Sequence, residues 1–148
     1  PRIVNVIRFY FDEGMEGWMA AHDVADLQVK AGQLVGRIVG PDPYIVRPHM
    51  RVPGAKGDTI IIRISTTAGS MAQLFWATES SPSFDEEKSL RFQVQPGETV
   101  NEYRLPLGDH PSWNGQTVVG LRLDPGGGTT EGSFVVDAIE GVTASGQR

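Results

Sequence analysis

The sequence predicts an all-β fold, an antiparallel β-sandwich or jelly roll. Three observations predict it: apolar residues alternate with polar ones along short segments, turn-forming residues separate these segments, and helical spacing of apolar residues is weak throughout. Alternation places every second side chain on the same face of a strand, so each segment offers one face to a core. About ten short strands at this spacing are typical of a sandwich.

The predicted strands follow this alternation in chain order. They cover residues 3–11, 27–29, 34–39, 44–52, 59–65, 71–78, 89–94, 100–107, 117–123 and 132–139. Turn formers occupy the gaps, as in Asp12-Glu13-Gly14, Ala31-Gly32, Gly40-Pro41-Asp42-Pro43, Pro53-Gly54, Pro96-Gly97 and Gly126-Gly127-Gly128. The clearest strand is 59–65, where Ile60, Ile62 and Ile64 alternate with Thr59, Ile61, Arg63 and Ser65.

Length and composition narrow the class of protein. The 148 residues suffice for one domain, which we place at residues 1–142, followed by a C-terminal tail at 143–148. A net charge of −5 is unlike that of domains that neutralise nucleic-acid phosphates, and no apolar stretch approaches the roughly 20 residues that cross a bilayer. We therefore expect neither a nucleic-acid nor a membrane partner. The chain has no cysteine, starts at Pro1 and shows no secretion leader, so we expect a piece of a longer protein.

No motif of a known catalytic class is present. The sequence lacks a Gly-x-Ser-x-Gly elbow, a His-Glu-x-x-His pair and a phosphate-binding Gly-Lys-Ser or Gly-Lys-Thr loop. His22, Asp23 and Asp26 suit a polar turn better than a metal cluster. Glu86 and Glu87 are adjacent and fit a solvated hairpin tip better than a glycosidase pair. We therefore expect a protein that is not an enzyme.

Four motifs in chain order carry a resemblance to a known family. They are Phe9-Tyr10-Phe11-Asp12-Glu13-Gly14 with Gly17-Trp18, residues 27–34 around a glycine, Gly120-Leu121-Arg122-Leu123-Asp124-Pro125, and Val135-Val136-Asp137-Ala138-Ile139. Together they resemble the start, middle and end of the jelly-roll carbohydrate-binding modules attached to bacterial glycoside hydrolases and other polysaccharide-active enzymes. The resemblance implies a galactose-binding-like sandwich that binds a polysaccharide or oligosaccharide. It also implies an extracellular or cell-surface location, bacterial in type, within a larger multidomain chain.

The resemblance further implies a structural calcium ion as cofactor. In such modules an acidic residue after the first strand and an Asp in the last strand commonly share Ca²⁺ with backbone carbonyls, and the matching positions are Asp12 and Asp137. The first and last strands of a jelly roll are neighbours, and two facing carboxylates repel unless a hard cation lies between them. Alternatively, Asp12 closes a turn and Asp137 is an exposed strand carboxylate. Ala138 stands where several relatives have an amide or a second acid.

Strand alternation makes the arginines candidate ligand contacts. If the apolar positions of their strands face the core, Arg63, Arg91, Arg104 and Arg122 all point outward, and we expect them to share one sheet face. A guanidinium suits sugar hydroxyls and suits carboxylate or sulfate groups better still, so an acidic glycan is one ligand that the sequence suggests. The alternative is a solvated network in which these arginines pair with Glu102 or other acids.

Aromatic residues are the other candidate contacts, because the apolar face of a sugar ring stacks on flat side chains. We expect platforms at Tyr44, Phe75, Trp76 and Trp113. Phe75 and Trp76 point to opposite faces of one strand, so only one of them is a core residue unless both faces are covered. We place Gln73 and Phe75 on the arginine face and leave Trp76 as the alternative.

The other two tryptophans, Trp18 and Trp113, lie outside that strand. Trp113 follows a turn-rich stretch and either contacts ligand or plugs an end of the sandwich. Trp18 is expected in the core.

These observations predict a noncatalytic polysaccharide-binding module. The alternative function is a structural or interaction β-sandwich, such as an enzyme accessory domain or a surface or capsid decoration unit that never binds free sugar. A stable oligomer that buries Trp113 or the arginine face would favour this alternative.

Overall fold

The computed structural model describes residues 3–143, which form two antiparallel sheets packed face to face. The prediction of an all-β sandwich is confirmed. The strands are β1 (Arg8–Phe9), β2 (Met19–His22), β3 (Val24–Lys30), β4 (Gln33–Ile38), β5 (Tyr44–Arg47), β6 (Val52–Pro53), β7 (Thr59–Thr66), β8 (Met71–Thr78), β9 (Ser89–Gln93), β10 (Asn101–Pro106), β11 (Thr117–Asp124) and β12 (Gly132–Val142). Short 3-10 helices span Gly54–Lys56 and Glu86–Lys88.

The two sheets interleave elements from the whole chain. Sheet A has the strand order β10-β7-β12-β4-β3, with β1 also paired to β12, and sheet B has the order β2-β5-β11-β8-β9, with β6 also paired to β11. Apart from the consecutive pairs β3–β4 and β8–β9, neighbouring strands on these paths are not consecutive in sequence. The ends of the sheets are closed by loops, and the strands β2, β3, β9 and β10 lie at the sheet edges.

Some predicted strand limits were wrong. The segment expected as one strand at 44–52 is two strands. Pro48 has no backbone N–H to donate, and His49 has a positive φ of 60°, so both residues interrupt the strand pairing. The strand expected at 3–11 is paired in sheet A only at Arg8–Phe9. Strand β2 was not predicted, since Met19–His22 shows no alternation and contains a register shift between Ala20 and His22.

The core lies between the sheets and follows the predicted alternation. Ile60, Ile62 and Ile64 are buried there, as is Trp18, whose ring packs edge-on against Phe9. Arg47 also points inward at one end of the core, where its guanidinium donates to the backbone carbonyls of residues 16, 48 and 49. Burial lowers the pKa of Arg47, and Glu16 offsets part of this effect.

The expectation that Trp76 or Trp113 is an exposed platform is wrong. Both rings are fully buried, pack edge to face with centroids 5.3 Å apart, and donate from their indole nitrogens to Ser112 O at 3.0 Å and Gly54 O at 2.9 Å. Trp113 is therefore the plug at one end of the sandwich. Both donors find carbonyl partners, which removes the usual cost of burying an indole N–H.

The boundary of the predicted tail stays a prediction. Strand β12 ends at Val142, and of the tail expected at 143–148 only Thr143 is described, while 144–148 lie outside the described residues. Within residues 3–143, no helix is long and apolar enough to cross a membrane.

Candidate functional site

A row of planar side chains crosses four adjacent strands on the outer face of sheet B. From the edge strand inward its members are His22 on β2, Tyr44 on β5, Arg122 on β11 and Phe75 on β8. The His22 and Tyr44 rings are stacked, with centroids 5.3 Å apart and planes 8° apart. The Arg122 guanidinium carbon lies 3.6 Å from the Tyr44 centroid and 4.2 Å from the Phe75 centroid. We call this stack the planar row.

Strand geometry explains why the planar row forms. Adjacent strands lie about 4.8 Å apart, close to the separation of stacked planes, so side chains on neighbouring strands can stack across a sheet. In this arrangement the planes stand up from the sheet. Their faces therefore contact one another, while their edges face solvent.

Arg122 is held in the row by Asp124. Its Nε and Nη2 donate to the two carboxylate oxygens at 2.8 and 3.0 Å, a bidentate pair between side chains that are both more than four-fifths buried. Within residues 3–143, Nη1 of Arg122 makes no hydrogen bond, so two donors remain for a ligand. The guanidinium is thus fixed as a plane and partly available as a donor.

The pKa values of this ion pair shift in the same direction. Burial alone would lower the pKa of Arg122, but Asp124, Tyr44 and Asp42 together raise it. Burial raises the pKa of Asp124, and pairing with Arg122 offsets only part of that rise, since Asp42 and Glu86 add negative charge nearby. The effect of burial on the pKa of Asp124 is therefore larger than the opposite effect of its pairing with Arg122.

A line of polar groups runs beside the planar row. The Gln73 amide nitrogen donates to both Glu86 carboxylate oxygens at 3.2 Å and to Ser89 Oγ at 3.0 Å. Arg91 donates to Glu86 at 3.2 Å and to the Gln73 amide oxygen at 3.5 Å. The Tyr44 hydroxyl makes no hydrogen bond to any residue in the described range 3–143. These groups provide donors and acceptors within reach of the planar edges.

Loops bound this face at both ends. The segment between β8 and β9 folds back over it, and Phe84 packs against Gly120, where a β-carbon would lie 3.3 Å from the ring. At the other end, Pro41 and the glycines 126–128 flank a cavity of about 320 Å³ whose lining includes Gln73, Asp124 and Asp42. The accessible part of the face is therefore the half around Tyr44 and Asp124.

The expectation that four arginines share one face is wrong. Arg91 and Arg122 lie on the outer face of sheet B, as predicted together with Gln73 and Phe75, whereas Arg63 on β7 and Arg104 on β10 lie on the outer face of sheet A. There both pair with Glu102 at 3.0 and 3.2 Å, and Arg63 also lies 3.6 Å from the buried Glu140. The cross-strand network considered as the alternative is thus present on sheet A.

The aromatic candidates are also divided by the fold. Tyr44 is part of the accessible row, but Phe75 is only 4% exposed, since Arg122 covers one face of its ring. Sequence reasoning missed His22 as a member of the row. The direction of the His22 side chain depends on the register shift in β2, and no local pattern of residues predicts this shift.

Of the two acids expected to bind calcium, Asp12 follows β1 and Asp137 lies within β12. These strands pair at Arg8↔Glu140 and Phe9↔Ile139, and β12 has a register shift around Asp137. Asp12 is exposed, and Asp137 accepts a hydrogen bond from the Gln33 amide at 3.1 Å. Within the described part of the chain, no three His, Asp or Glu side chains are grouped to hold a metal ion. Calcium here would take most of its ligands from backbone carbonyls.

Comparison with solved structures identifies the fold. A carbohydrate-binding module of family 28, described as specific for non-crystalline cellulose, matches with a TM-score of 0.64 at 12% identity, over 96% of this chain and 98% of that one. The fold is that of the jelly-roll carbohydrate-binding modules. A family 29 module from Piromyces equi matches with a TM-score of 0.60 at 13% identity, over 95% of this chain and 93% of that one. A family 4 module matches with a TM-score of 0.55 at 14% identity, over 90% and 97%.

These matches confirm the resemblance at the level of fold. These three structures are described as carbohydrate-binding modules, and a variant of a further family 29 module was solved in complex with cellulohexaose. No protein-family model matches the sequence, and no curated protein matches it. The chain therefore shares an architecture with these modules at 12–14% sequence identity.

Proposed function

We propose that this chain is a noncatalytic carbohydrate-binding module that holds a neutral polysaccharide against the outer face of sheet B. The planar row carries the proposal: it places flat groups on four adjacent strands of a rigid sheet, with free hydrogen-bonding groups alongside. Because the faces of these planes contact one another, a ligand on this surface meets their edges and the polar groups beside them. The hydroxyls of a sugar ring suit such directional partners, and its C–H groups suit the apolar ring edges. The Tyr44 hydroxyl and the free donors of Arg122 are the central polar contacts in this proposal.

The charges around the row favour a neutral ligand over the acidic glycan that the sequence suggested. Arg122 is paired with Asp124 and Arg91 with Glu86, and Asp42 adds a third carboxylate. An acidic sugar would have to displace these carboxylates and would meet a local excess of negative charge. The earlier suggestion depended on four arginines on one face, and only two are there.

Affinity electrophoresis tests the proposal. The wild type should migrate more slowly in gels that contain at least one of three neutral polysaccharides: hydroxyethylcellulose, galactomannan or xylan. Alginate and polygalacturonate, which are acidic, should not slow it. Tyr44→Ala should lose the retardation. Normal mobility of folded wild-type protein in every neutral gel would contradict the proposal, and retardation by the acidic polymers alone would contradict the charge argument.

A matched pair of variants tests which face is used. Arg91 and Arg104 are both exposed and both paired with a glutamate, but they lie on opposite sheets. Arg91→Gln should weaken retardation, whereas Arg104→Gln should leave it unchanged. The reverse result would move the binding site to sheet A.

The proposal includes the setting in which such a module acts. A polysaccharide ligand would place the module outside the cell or at the cell surface. Attachment to a larger multidomain chain would raise the effective concentration of a module whose own affinity is modest. We also propose that Asp12 and Asp137 hold a structural Ca²⁺ between β1 and β12. The antiparallel pairing of these strands supports this, since Asp12 follows β1 and Asp137 lies within β12.

The alternative of a pure interaction domain has less support. The features expected to form an interface were Trp113 and a face of four arginines; Trp113 is sealed in the core and the arginines are divided between the sheets. Sedimentation velocity distinguishes the two functions, because a stable oligomer that lacks polysaccharide binding would favour the interaction domain.

A further inference from the structure

The planar row has one open end, at His22. Strand β2 is the edge strand of sheet B, so no further strand covers the ring face that points away from Tyr44. The His22 side chain is 50% exposed, whereas Phe75, at the other end of the row, is almost fully buried. A stack of planes that stops at a sheet edge can be continued only by a group from outside the chain.

The His22 ring is held in one orientation. Its Nδ1 lies 2.7 Å from the backbone carbonyl oxygen of Asp42 and 3.4 Å from Oδ2 of Asp23. A carbonyl only accepts, so Nδ1 carries a proton. Within residues 3–143 the other ring nitrogen, Nε2, makes no hydrogen bond. The ring therefore offers a ligand both an open face and a directional polar atom.

The loop that supplies this carbonyl is itself fixed. Asp23 accepts a hydrogen bond from the Asp42 backbone N–H at 3.0 Å, and its own carbonyl accepts one from Val39 at 3.0 Å. Its carboxylate packs directly on Gly40, where any β-carbon would overlap it. The position of His22 is thus determined before a ligand arrives, which lowers the entropic cost of binding.

The surroundings of the open face suit a sugar ring. The Asp42 carboxylate is 61% exposed and lies 4.0 Å from His22 Nδ1. It forms no ion pair with an arginine of the described residues 3–143, so it can accept from a hydroxyl. Met19 lies on the same outer face, opposite Val46 in the strand register, and is 47% exposed. An apolar side chain, a planar face and two polar groups then surround one space beside β2.

We propose that the free face of His22 is a subsite for one sugar ring of a neutral polysaccharide, at the β2 edge of the site. This inference rests on the proposed function and extends it. The sugar continues the planar row as a fifth plane, with its apolar face on the imidazole and its hydroxyls directed to Nε2 and to Asp42. The bound chain then runs across the strands of sheet B and past its edge.

Calorimetric titration with cellohexaose and mannohexaose tests the subsite. For the hexasaccharide that the wild type binds, His22→Ala should weaken affinity roughly 3- to 10-fold, the range expected for loss of one ring stack. His22→Phe keeps the plane and should stay within about 2-fold of wild type. His49→Asn is the matched control: it removes an imidazole beyond the far end of β5 and tolerates the positive φ, so affinity should not change.

Nuclear Overhauser contacts separate direct binding from an indirect effect. Contacts between the His22 ring protons and sugar protons in the labelled complex would support the subsite. Contacts to Tyr44 without any to His22, or unchanged affinity in His22→Ala, would overturn the subsite and leave the proposed function standing. Failure of wild-type protein to bind either hexasaccharide and every neutral polysaccharide would overturn both.

Discussion

The guanidinium of Arg122 lies 3.6 Å from the centroid of the Tyr44 ring and is stacked over it. On its other side is Phe75 at 4.2 Å, and Asp124 binds it in a bidentate pair. A cation between two rings is stabilised by both quadrupoles, and a planar guanidinium also fills the gap between them. Arg122 thus acts as the third plane of the row and keeps Tyr44 upright.

Arg122→Lys should disturb the row while conserving its charge. An ammonium group can neither fill a planar gap nor bind Asp124 at two points, so we expect the free energy of unfolding to fall by about 1–2 kcal/mol. Affinity for the neutral polysaccharide should fall as well. Urea unfolding and calorimetry measure the two effects. Arg91→Lys is the control, and equal losses in both variants would show that stacking contributes nothing.

Asp124 should produce a specific pH dependence of stability. Burial raises the pKa of its carboxyl above the ordinary 3.8. The folded state then holds the proton more tightly than the unfolded state, so this stability is complete below the unfolded pKa and is lost as pH rises through the folded pKa. The difference in unfolding free energy, wild type minus Asp124→Asn, should decrease as the pH rises from the ordinary pKa of 3.8 towards neutral pH. An increase over this range would mean that pairing with Arg122 outweighs burial.

Gly40→Ala should loosen the His22 end of the row. The new β-carbon would overlap the Asp23 carboxylate, which holds the Asp42 backbone. We expect a loss of about 1–3 kcal/mol in unfolding free energy, with weaker binding of the hexasaccharide. Gly127→Ala is the control, because its β-carbon would meet only an ordinary contact at 3.8 Å. Wild-type stability in Gly40→Ala would show that this loop adapts freely.

Trp113→Phe should affect stability and leave binding unchanged. The smaller ring leaves a void beside Trp76 and removes the donor to Gly54, so the unfolding free energy should fall by about 1–3 kcal/mol. Affinity for the polysaccharide should stay at the wild-type value. Weaker binding of the polysaccharide with unchanged unfolding free energy would indicate that Trp113 contacts the ligand.

Calcium should stabilise the wild type if Asp12 and Asp137 hold it. At a calcium concentration 100 times Kd the expected gain is about 2.7 kcal/mol, seen as a higher Tm than in a chelator. Asp137→Asn should abolish the gain, and Mg²⁺ should not replace Ca²⁺ at a site of flexible carbonyl ligands. Identical Tm values with calcium and with chelator would reduce both acids to ordinary surface carboxylates.

Local alternation predicted much of the fold. The inward direction of Ile60, Ile62 and Ile64, and the outward direction of Arg63, Arg91, Arg104 and Arg122, agree with the structure. A period of two specifies the two sides of each strand, because successive side chains point in opposite directions. It does not say to which sheet a strand belongs, and that choice separated Arg63 and Arg104 from the other two.

The sequence by itself predicted an all-β sandwich and the core-facing side of the strands whose residues alternate, and it favoured Gln73 and Phe75 on one outer face. Only the tertiary structure decided that Trp113 plugs the core and that His22, Tyr44, Arg122 and Phe75 stack. These outcomes depend on hydrogen bonds between strands distant in sequence and on a register shift in β2. Such contacts are properties of the assembled sheets, and no local pattern of residue types contains them.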